Sequence, residues 1–400
     1  MLVSFFSTCT KKNCSAPPQS PLALQATDVL STSFIATWNR VLGGYHVFDV
    51  ATDSSFTNFV SVWKAHPSGS LNSHKVEFLS PNTTYYYRVY ATNDCGQSEY
   101  SNLISVTTTA SPFSNLWTTK SNFGGTARDR GVGFSIGGKG YISTGNDGNP
   151  TNDFWEYDTA TNAWTQKANF SGTARDYAVG FSIGSKGYIG TGESGTIDFA
   201  DFWEWDQASN IWAAKANFAG TARQQAVGFS IGSKGYIGTG HDGNNTDDFW
   251  EYDPATDAWT QRANFTGGLR NRAVGFSIGT KGYIGTGTNT SVYYNDFWEY
   301  NPANDAWIQK ANFGGTPRNR AVGFSIATKG YIGTGFDNGS PLPYTKDFWE
   351  YNPSTDVWTQ KTDIPGTERQ GAVGFSVGGK GYIGTGGTGN GTNHFFEFTQ

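Results

Sequence analysis

One segment of the chain recurs along its C-terminal three-quarters, and that repetition restricts the fold more than any other feature. An arginine marks each copy, at Arg128, Arg175, Arg223, Arg270, Arg318 and Arg369, with spacings of 47, 48, 47, 48 and 51 residues. After each arginine comes a near copy of Ala-Val-Gly-Phe-Ser-Ile-Gly-x-Lys-Gly-Tyr-Ile-Gly-Thr-Gly. A variable loop follows, then Asp-Phe-Trp-Glu-Tyr, a turn and Trp-Thr-Gln-Lys. In the second copy this pattern predicts four short strands: a over 179–183, b over 188–191, c over 202–205 and d over 211–215. A four-stranded unit of this length, repeated several times, reads as a blade of a β-propeller. Glycines on strands a and b suit the crowded axial part, where a Cβ would clash. Trp203, Trp205 and Trp212 on strands c and d suit the wider gaps between blades.

The count of strands predicts how the ring closes. There are six inner strands, marked by Phe134, Phe181, Phe229, Phe276, Phe324 and Phe375, and six strand-d tryptophans, at 117, 164, 212, 259, 307 and 358. Trp117, however, precedes the first inner strand, and nothing after Phe398 supplies a strand d. The last blade therefore borrows residues 116–120 from the start of the array, which removes an exposed sheet edge. Six blades follow, closed by an N-terminal strand.

Composition supports an all-β protein and excludes several functions. Among 400 residues there are 52 glycines and 16% aromatics, a balance that favours strands and turns over helices. The formal charge is −5, from 28 Lys+Arg against 33 Asp+Glu, so a polybasic nucleic-acid binder is excluded. No apolar run reaches the roughly 18 residues of a membrane-spanning helix. Residues 15–110 alternate apolar and polar positions over short runs, as in Phe34-Ile-Ala-Thr-Trp38 and Tyr85-Tyr-Tyr-Arg-Val-Tyr-Ala91, which predicts a β-sandwich. Residues 111–115 form a linker, and the propeller occupies 116–400.

At Trp38, and at Leu79-Ser-Pro81-Asn-Thr83-Thr-Tyr85-Tyr-Tyr87 followed by Gly96, Ser98 and Ser101, the first region resembles a fibronectin type III domain with its tyrosine corner. The resemblance implies a spacer or adhesive module. The array resembles Kelch repeats: Gly-Tyr-Ile-Gly-Thr-Gly stands where most Kelch repeats carry a double glycine, kept here at Gly386-Gly387, and the stretch from Asp248 to Trp259 is the other hallmark. The chain opens Met-Leu-Val-Ser-Phe-Phe-Ser-Thr-Cys9, which resembles the end of a bacterial lipoprotein signal and implies a lipid anchor at Cys9. The other reading of residues 1–14 is a disordered tail with a free cysteine. A Cys14–Cys95 disulfide is expected if the chain is exported.

What all copies keep is architectural; what differs is where a ligand can be read. Six arginines, and six glutamates at Glu156, Glu204, Glu251, Glu299, Glu350 and Glu397, are read as one Arg–Glu pair bracing each blade. The lysines of Gly-x-Lys-Gly, such as Lys139 and Lys186, are read as solvated hairpin residues. Antiparallel strands place the d–a and b–c connections on one face. The b–c loops hold nearly all the variation, at 146–152, 193–200, 241–247, 288–295, 336–346 and 387–393, which makes this face the candidate working surface. The second residue after each arginine also varies: Arg130, Tyr177, Gln225, Arg272, Arg320 and Gly371. A mouth lined by Arg130, Arg272, Arg320, Tyr177, Gln225, Glu193, His241, Tyr293, Tyr294, Phe336 and Tyr344 suits an anionic peptide or sugar, since guanidinium forks match carboxylates and aromatic faces stack on sugar rings.

These residues lead to a first expectation: a monomeric, non-catalytic protein, secreted or held in the bacterial envelope, that recognises a protein or glycan and needs no cofactor or metal. The alternative is an envelope sugar-modifying enzyme similar to the six-bladed Kelch mutarotases that act on sialic acid, with Glu193 or His241 near Arg272 moving the proton. The copper-radical sugar oxidases among Kelch propellers are excluded, because residues 111–400 hold no cysteine and only His241 and His394. His394 falls where other copies have an aspartate before strand c. Asp147-Gly-Asn149 and Asp242-Gly-Asn-Asn245 are read as turns and not as Ca²⁺ loops. No nucleotide-binding glycine loop and no zinc spacing are present.

Overall fold

The computed structural model describes residues 16–77, 79–80, 82–109, 116–337 and 343–400. Cys9, Cys14, and with them the lipid anchor and the Cys14–Cys95 pairing, lie outside the described residues, as does the linker. The protein is all-β and divides into two compact units, 1–114 and 115–400.

The first unit is a fibronectin type III sandwich. One sheet orders Ala23–Thr27, Phe34–Trp38 and Ser73–Val76; the other carries His66–Gly69, Tyr45–Ala51, Thr84–Asn93 and Gly96–Gln97, with Ile104–Thr107 also paired to Thr84–Asn93. Alternation along the strands sends Phe34, Ala36 and Trp38 inward against Phe48, Tyr87 and Val89. At the tyrosine corner the Ser80 amide donates to the Tyr85 hydroxyl at 2.8 Å.

The second unit is a propeller of six four-stranded antiparallel sheets. Blade one runs Val132–Ile136, Lys139–Ser143, Phe154–Asp158 and Ala163–Gln166 as strands a to d. Blade six has Val373–Val377, Lys380–Gly384 and Phe395–Thr399, and its outermost strand is Leu116–Thr119, with Trp117 opposite Phe398. Trp117 packs 5.1 Å from Phe398 and 5.0 Å from Phe348 of blade five, and its indole N–H donates to the Thr362 carbonyl at 2.9 Å. The borrowed strand thus fastens two blades. On the inner strands, a Cβ at Gly187 would lie 2.5 Å from the Phe134 ring, and one at Gly235 2.5 Å from Phe181, so each blade can advance to the axis only where its neighbour's phenylalanine meets bare backbone.

Three sequence expectations need correction. Strand b starts two residues early, at Lys186 in the second blade, because its lysine belongs to the ladder. That lysine is not a free solvated residue: Lys139 reaches Asp158 and Lys234 reaches Asp253, each at 2.5 Å, and Lys186 pairs with Asp206. The bracing pair is not Arg–Glu. Arg128, Arg175, Arg223, Arg270 and Arg318 bind Asp153, Asp201, Asp248, Asp296 and Asp347, with Nη2–Oδ2 distances of 2.8–2.9 Å. The glutamates sit across the ladder from strand-b tyrosines and accept their hydroxyls, as Glu156 does from Tyr141 and Glu204 from Tyr188.

The same arginines hold a strained turn. Thr144, Thr191, Thr239, Thr286 and Thr385, each directly after strand b, and Thr334, within the longer strand Lys329–Phe336, have φ of 57–61°, unusual for a β-branched residue. In every blade the arginine Nη1 donates to that threonine's carbonyl at 2.8–3.0 Å.

Trp117→Ala is expected to destabilise the propeller by about 3–5 kcal/mol through lost aromatic packing. The neighbouring exposed Leu116→Ala should stay within about 0.5 kcal/mol. Chemical unfolding followed by tryptophan fluorescence measures both; equal effects would mean that the borrowed strand does not close the ring.

Candidate functional site

At the axial mouth the second residue after each ring arginine takes part in a closed circle of backbone hydrogen bonds. Arg130 N–H donates to the Gly371 carbonyl, Tyr177 to Arg130, Gln225 to Tyr177, Arg272 to Gln225, Arg320 to Arg272 and Gly371 to Arg320, at 2.8–3.1 Å. All six have φ between 52° and 61°. Left-handed backbone costs a non-glycine residue roughly 1–2 kcal/mol, so five positions carry strain that the circle offsets. At the neighbouring position, Asp129, Asp176, Gln224, Asn271, Asn319 and Gln370 are each tied to a b–c loop by a bridge, such as Asp176 to Glu193, Gln224 to His241 and Asn319 to Phe336. The d–a segments and b–c loops therefore share one face.

Arg130, Tyr177, Gln225, Arg272 and Arg320 line the mouth above a floor of Ala178, Ala226, Ala273, Ala321 and Ala372. Glu193 and His241 extend this lining into a cavity of about 950 Å³, part of it open to solvent. Three guanidinium carbons stand around the Tyr177 ring, Arg130 at 4.9 Å, Arg320 at 5.7 Å and Arg272 at 5.8 Å from its centre. Their charges are unequally met. Arg130 lies 3.3 Å from both Asp129 and Asp176, and Arg320 donates to the Gln370 side-chain oxygen at 2.9 Å. No carboxylate contributes to the electrostatics of Arg272, and burial, then the charge of Arg320, pull its pKa down. Arg130 meets Asp129 through its Nε, whereas the buried Nε of Arg320 has no hydrogen-bond partner among the described residues.

Acid and base groups stand at the same opening. Burial, then the charge of Asp176, pushes the Glu193 carboxyl up, although it accepts a 2.6 Å hydrogen bond from the Gln224 amide. Asp198, opposite Glu193 in a small hairpin, is also pushed up by burial. The Gly243 amide points at His241 Nδ1 from 3.4 Å, a long contact at the edge of hydrogen-bond range. The arrangement can hold an anion against an aromatic face and exchange protons beside it. Among the described residues, no three His, Cys, Asp or Glu side chains converge as a metal site. The Asp-Gly-Asn segments are turns: Asp147 accepts from the Asn149 amide and Asp242 from the Asn244 amide.

Four sequence-selected aromatics lie elsewhere. Tyr294 covers ring arginine Arg270 at 4.1 Å, as Phe199 covers Arg175, so it is part of the scaffold and not of the mouth. Phe336 packs against Tyr293 and Tyr344, at 6.0 and 5.5 Å, in a separate cluster on the loops of blades four and five that does not line the cavity. Conversely, Gln224, Asn245, Asn271 and Thr290 line the cavity and were missed. The signal for two of them was present: the residue directly after each ring arginine is always Asp, Asn or Gln.

Comparisons agree with both units. Residues 16–107 match the family of the fibronectin type III domain, a class of interaction module. Protein sidekick-2 of Gallus gallus is 34% identical over 97 residues, 24% of this chain; the chain spans only 4% of that relative's length. The solved structure of YjhT aligns at a TM-score of 0.60 and 16% identity, over 70% of this chain and 97% of that one. No Kelch-repeat family matches the array. Likeness at this identity establishes the propeller fold. On this likeness the expectation of a non-catalytic protein is withdrawn.

Removing Asp201 (Asp201→Ala) leaves Arg175 buried and unpaired, and should cost about 3–5 kcal/mol. Arg272→Met removes a desolvated cation that faces other cations, and should leave the melting temperature unchanged or higher. Calorimetry distinguishes the two; comparable losses would show that Arg272 is a structural brace.

Proposed function

We propose that the propeller is a sugar-acid enzyme of the Kelch mutarotase kind, which takes a carboxylate-bearing pyranose at the axial mouth and interconverts its anomers. The observation that carries this reading is Arg272: a desolvated guanidinium without a carboxylate, beside Arg130, Arg320 and the face of Tyr177. The sugar carboxylate takes the arginine donors, and the ring lies against Tyr177. Ring opening needs a proton delivered to the ring oxygen while another leaves the anomeric hydroxyl. Closure on the other face reverses both transfers, so atoms and charge balance without a co-reactant. A carboxyl held above its ordinary pKa supplies the acid, which suits Glu193, and His241 across the same opening suits the base. Export to the envelope belongs to the same proposal and rests on the sequence of residues 1–14, with the fibronectin type III unit as a spacer or adhesive module.

Exchange spectroscopy on N-acetylneuraminic acid tests the reading directly. The wild type should accelerate anomer exchange, Glu193→Gln should lose about 10²-fold or more in kcat, and Arg272→Ala should act mainly on KM. No acceleration, together with unchanged binding in the Arg130, Arg272 and Arg320 triple alanine variant, would overturn it.

Affinity for the anion should also depend on pH. Ionisation of Glu193 adds a negative charge beside the bound carboxylate, so Kd should rise as pH climbs through a midpoint above the ordinary carboxyl value. Glu193→Gln should flatten that step in a calorimetric titration series; a step that survives the substitution assigns it to another group.

A further inference from the structure

Five of the six ring arginines are held alike, and the sixth is not. In blades one to five the aspartate before strand c binds both the arginine and an indole N–H two residues on, as Asp153 does with Arg128 and Trp155, and Asp201 with Arg175 and Trp203. A phenylalanine, Phe123 or Phe170 in the first two blades, lies under each guanidinium at about 5.0 Å. Blade six changes all three positions together: His394 replaces the aspartate, Phe396 the tryptophan and Ile364 the phenylalanine.

Arg369 is nevertheless retained, and it is completely buried. Its Nε donates to the Thr367 carbonyl at 3.3 Å and its Nη1 to the Thr385 carbonyl at 3.0 Å, but Nη2 is buried with no partner. No carboxylate lies within 4 Å of it among the described residues: Glu368 is engaged by Lys346 and Glu397 by Lys120 and Lys380. Burial, with no compensating charge, lowers its pKa to about 10, so it stays cationic at neutral pH. Gly366 and the exposed His394 lie beside it. A Cβ on Gly366 would stand 3.2 Å from Nη2 and 4.0 Å from His394 Nδ1, and the Phe396 ring packs 5.3 Å from the guanidinium carbon. Loss of the acceptor and of the indole that shared it leaves a charged donor whose only missing partner is an anion, and a buried unpaired cation is costly.

We propose that the vacant carboxylate position between Arg369 and His394 binds a small monovalent anion, chloride or a carboxylate of formate size, which completes the sixth blade as aspartate completes the other five. Neither Arg369 nor His394 lines the axial mouth, and the proposal does not depend on the enzymatic reading. Its effect is to link stability of the closure to anion concentration.

The test is thermal unfolding with chloride exchanged for isethionate, a bulkier anion, at constant ionic strength. The wild type should gain about 2–4 °C and saturate. His394→Asp, which restores the carboxylate, should melt at or above the chloride-saturated wild type and lose the response. Bromide-soaked crystals should show an anomalous peak beside Arg369 in the wild type only. Parallel responses in the two proteins, no response in the wild type, or a peak that persists in His394→Asp would each overturn the proposal.

Discussion

The circle of hydrogen bonds through Arg130, Tyr177, Gln225, Arg272, Arg320 and Gly371 is the constraint on which the rest of the propeller depends. Each blade can hand a hydrogen bond to the next only if its residue turns left-handed at the axis. That turn also sends the side chain into the opening. One backbone decision therefore closes the ring and furnishes the mouth, and Gly371 leaves one side of the mouth bare. The adjacent arginines reinforce the circle one residue outward: the Arg175 carbonyl accepts the Gly145 amide of the preceding blade at 2.9 Å, and the Arg128 carbonyl accepts Gly386 at 2.8 Å across the closure. Strain at the axis, strain at the strand-b threonines and burial of six guanidinium groups are thus borne by one connected network.

The architecture was legible because propeller contacts repeat in sequence. Gly187 must be glycine where Phe134 presses on it, and the same pair recurs as Gly235 with Phe181, so the packing between blades is written once per repeat. The closure was legible from a surplus of one strand at the start and a deficit at the end. The charge pairing was not. Both the arginine and glutamate rows are kept six times, while the aspartate row is kept only five times, so counting favoured the wrong partner. Register decides it: Glu156 faces Tyr141 across the ladder, whereas Asp153 stands just outside strand c, beside the arginine.

The site divides along the same line. Positions tied to the axial circle were legible, because the backbone fixes their direction and variation exposes their role. Loop positions were not, because a residue's direction there depends on hairpin geometry. Thr288–Asn289 pairs with Val292–Tyr293, which turns the next residue, Tyr294, down onto Arg270. The equivalent position is Phe199 in blade two and a threonine in the other four blades, and the hydroxyls of Thr151, Thr246 and Thr345 accept from the ring arginine. A tyrosine there serves the scaffold by another route, and composition alone reads it as a ligand contact.

Charge distribution adds a last constraint on what enters the mouth. The chain carries a net charge of −5, yet it collects three arginines around one tyrosine at the axis. At physiological salt, fields from exposed charges fade over about 8 Å, so the acidic exterior acts mainly on molecules that lie along the surface. Inside the opening, partial burial strengthens the attraction of Arg272 for an anion. An extended polyanion would meet the outer repulsion over its whole length and gain only at one point. A compact ligand with a single anionic group meets that repulsion over a short length only, so the charge distribution favours a small anion over a charged polymer.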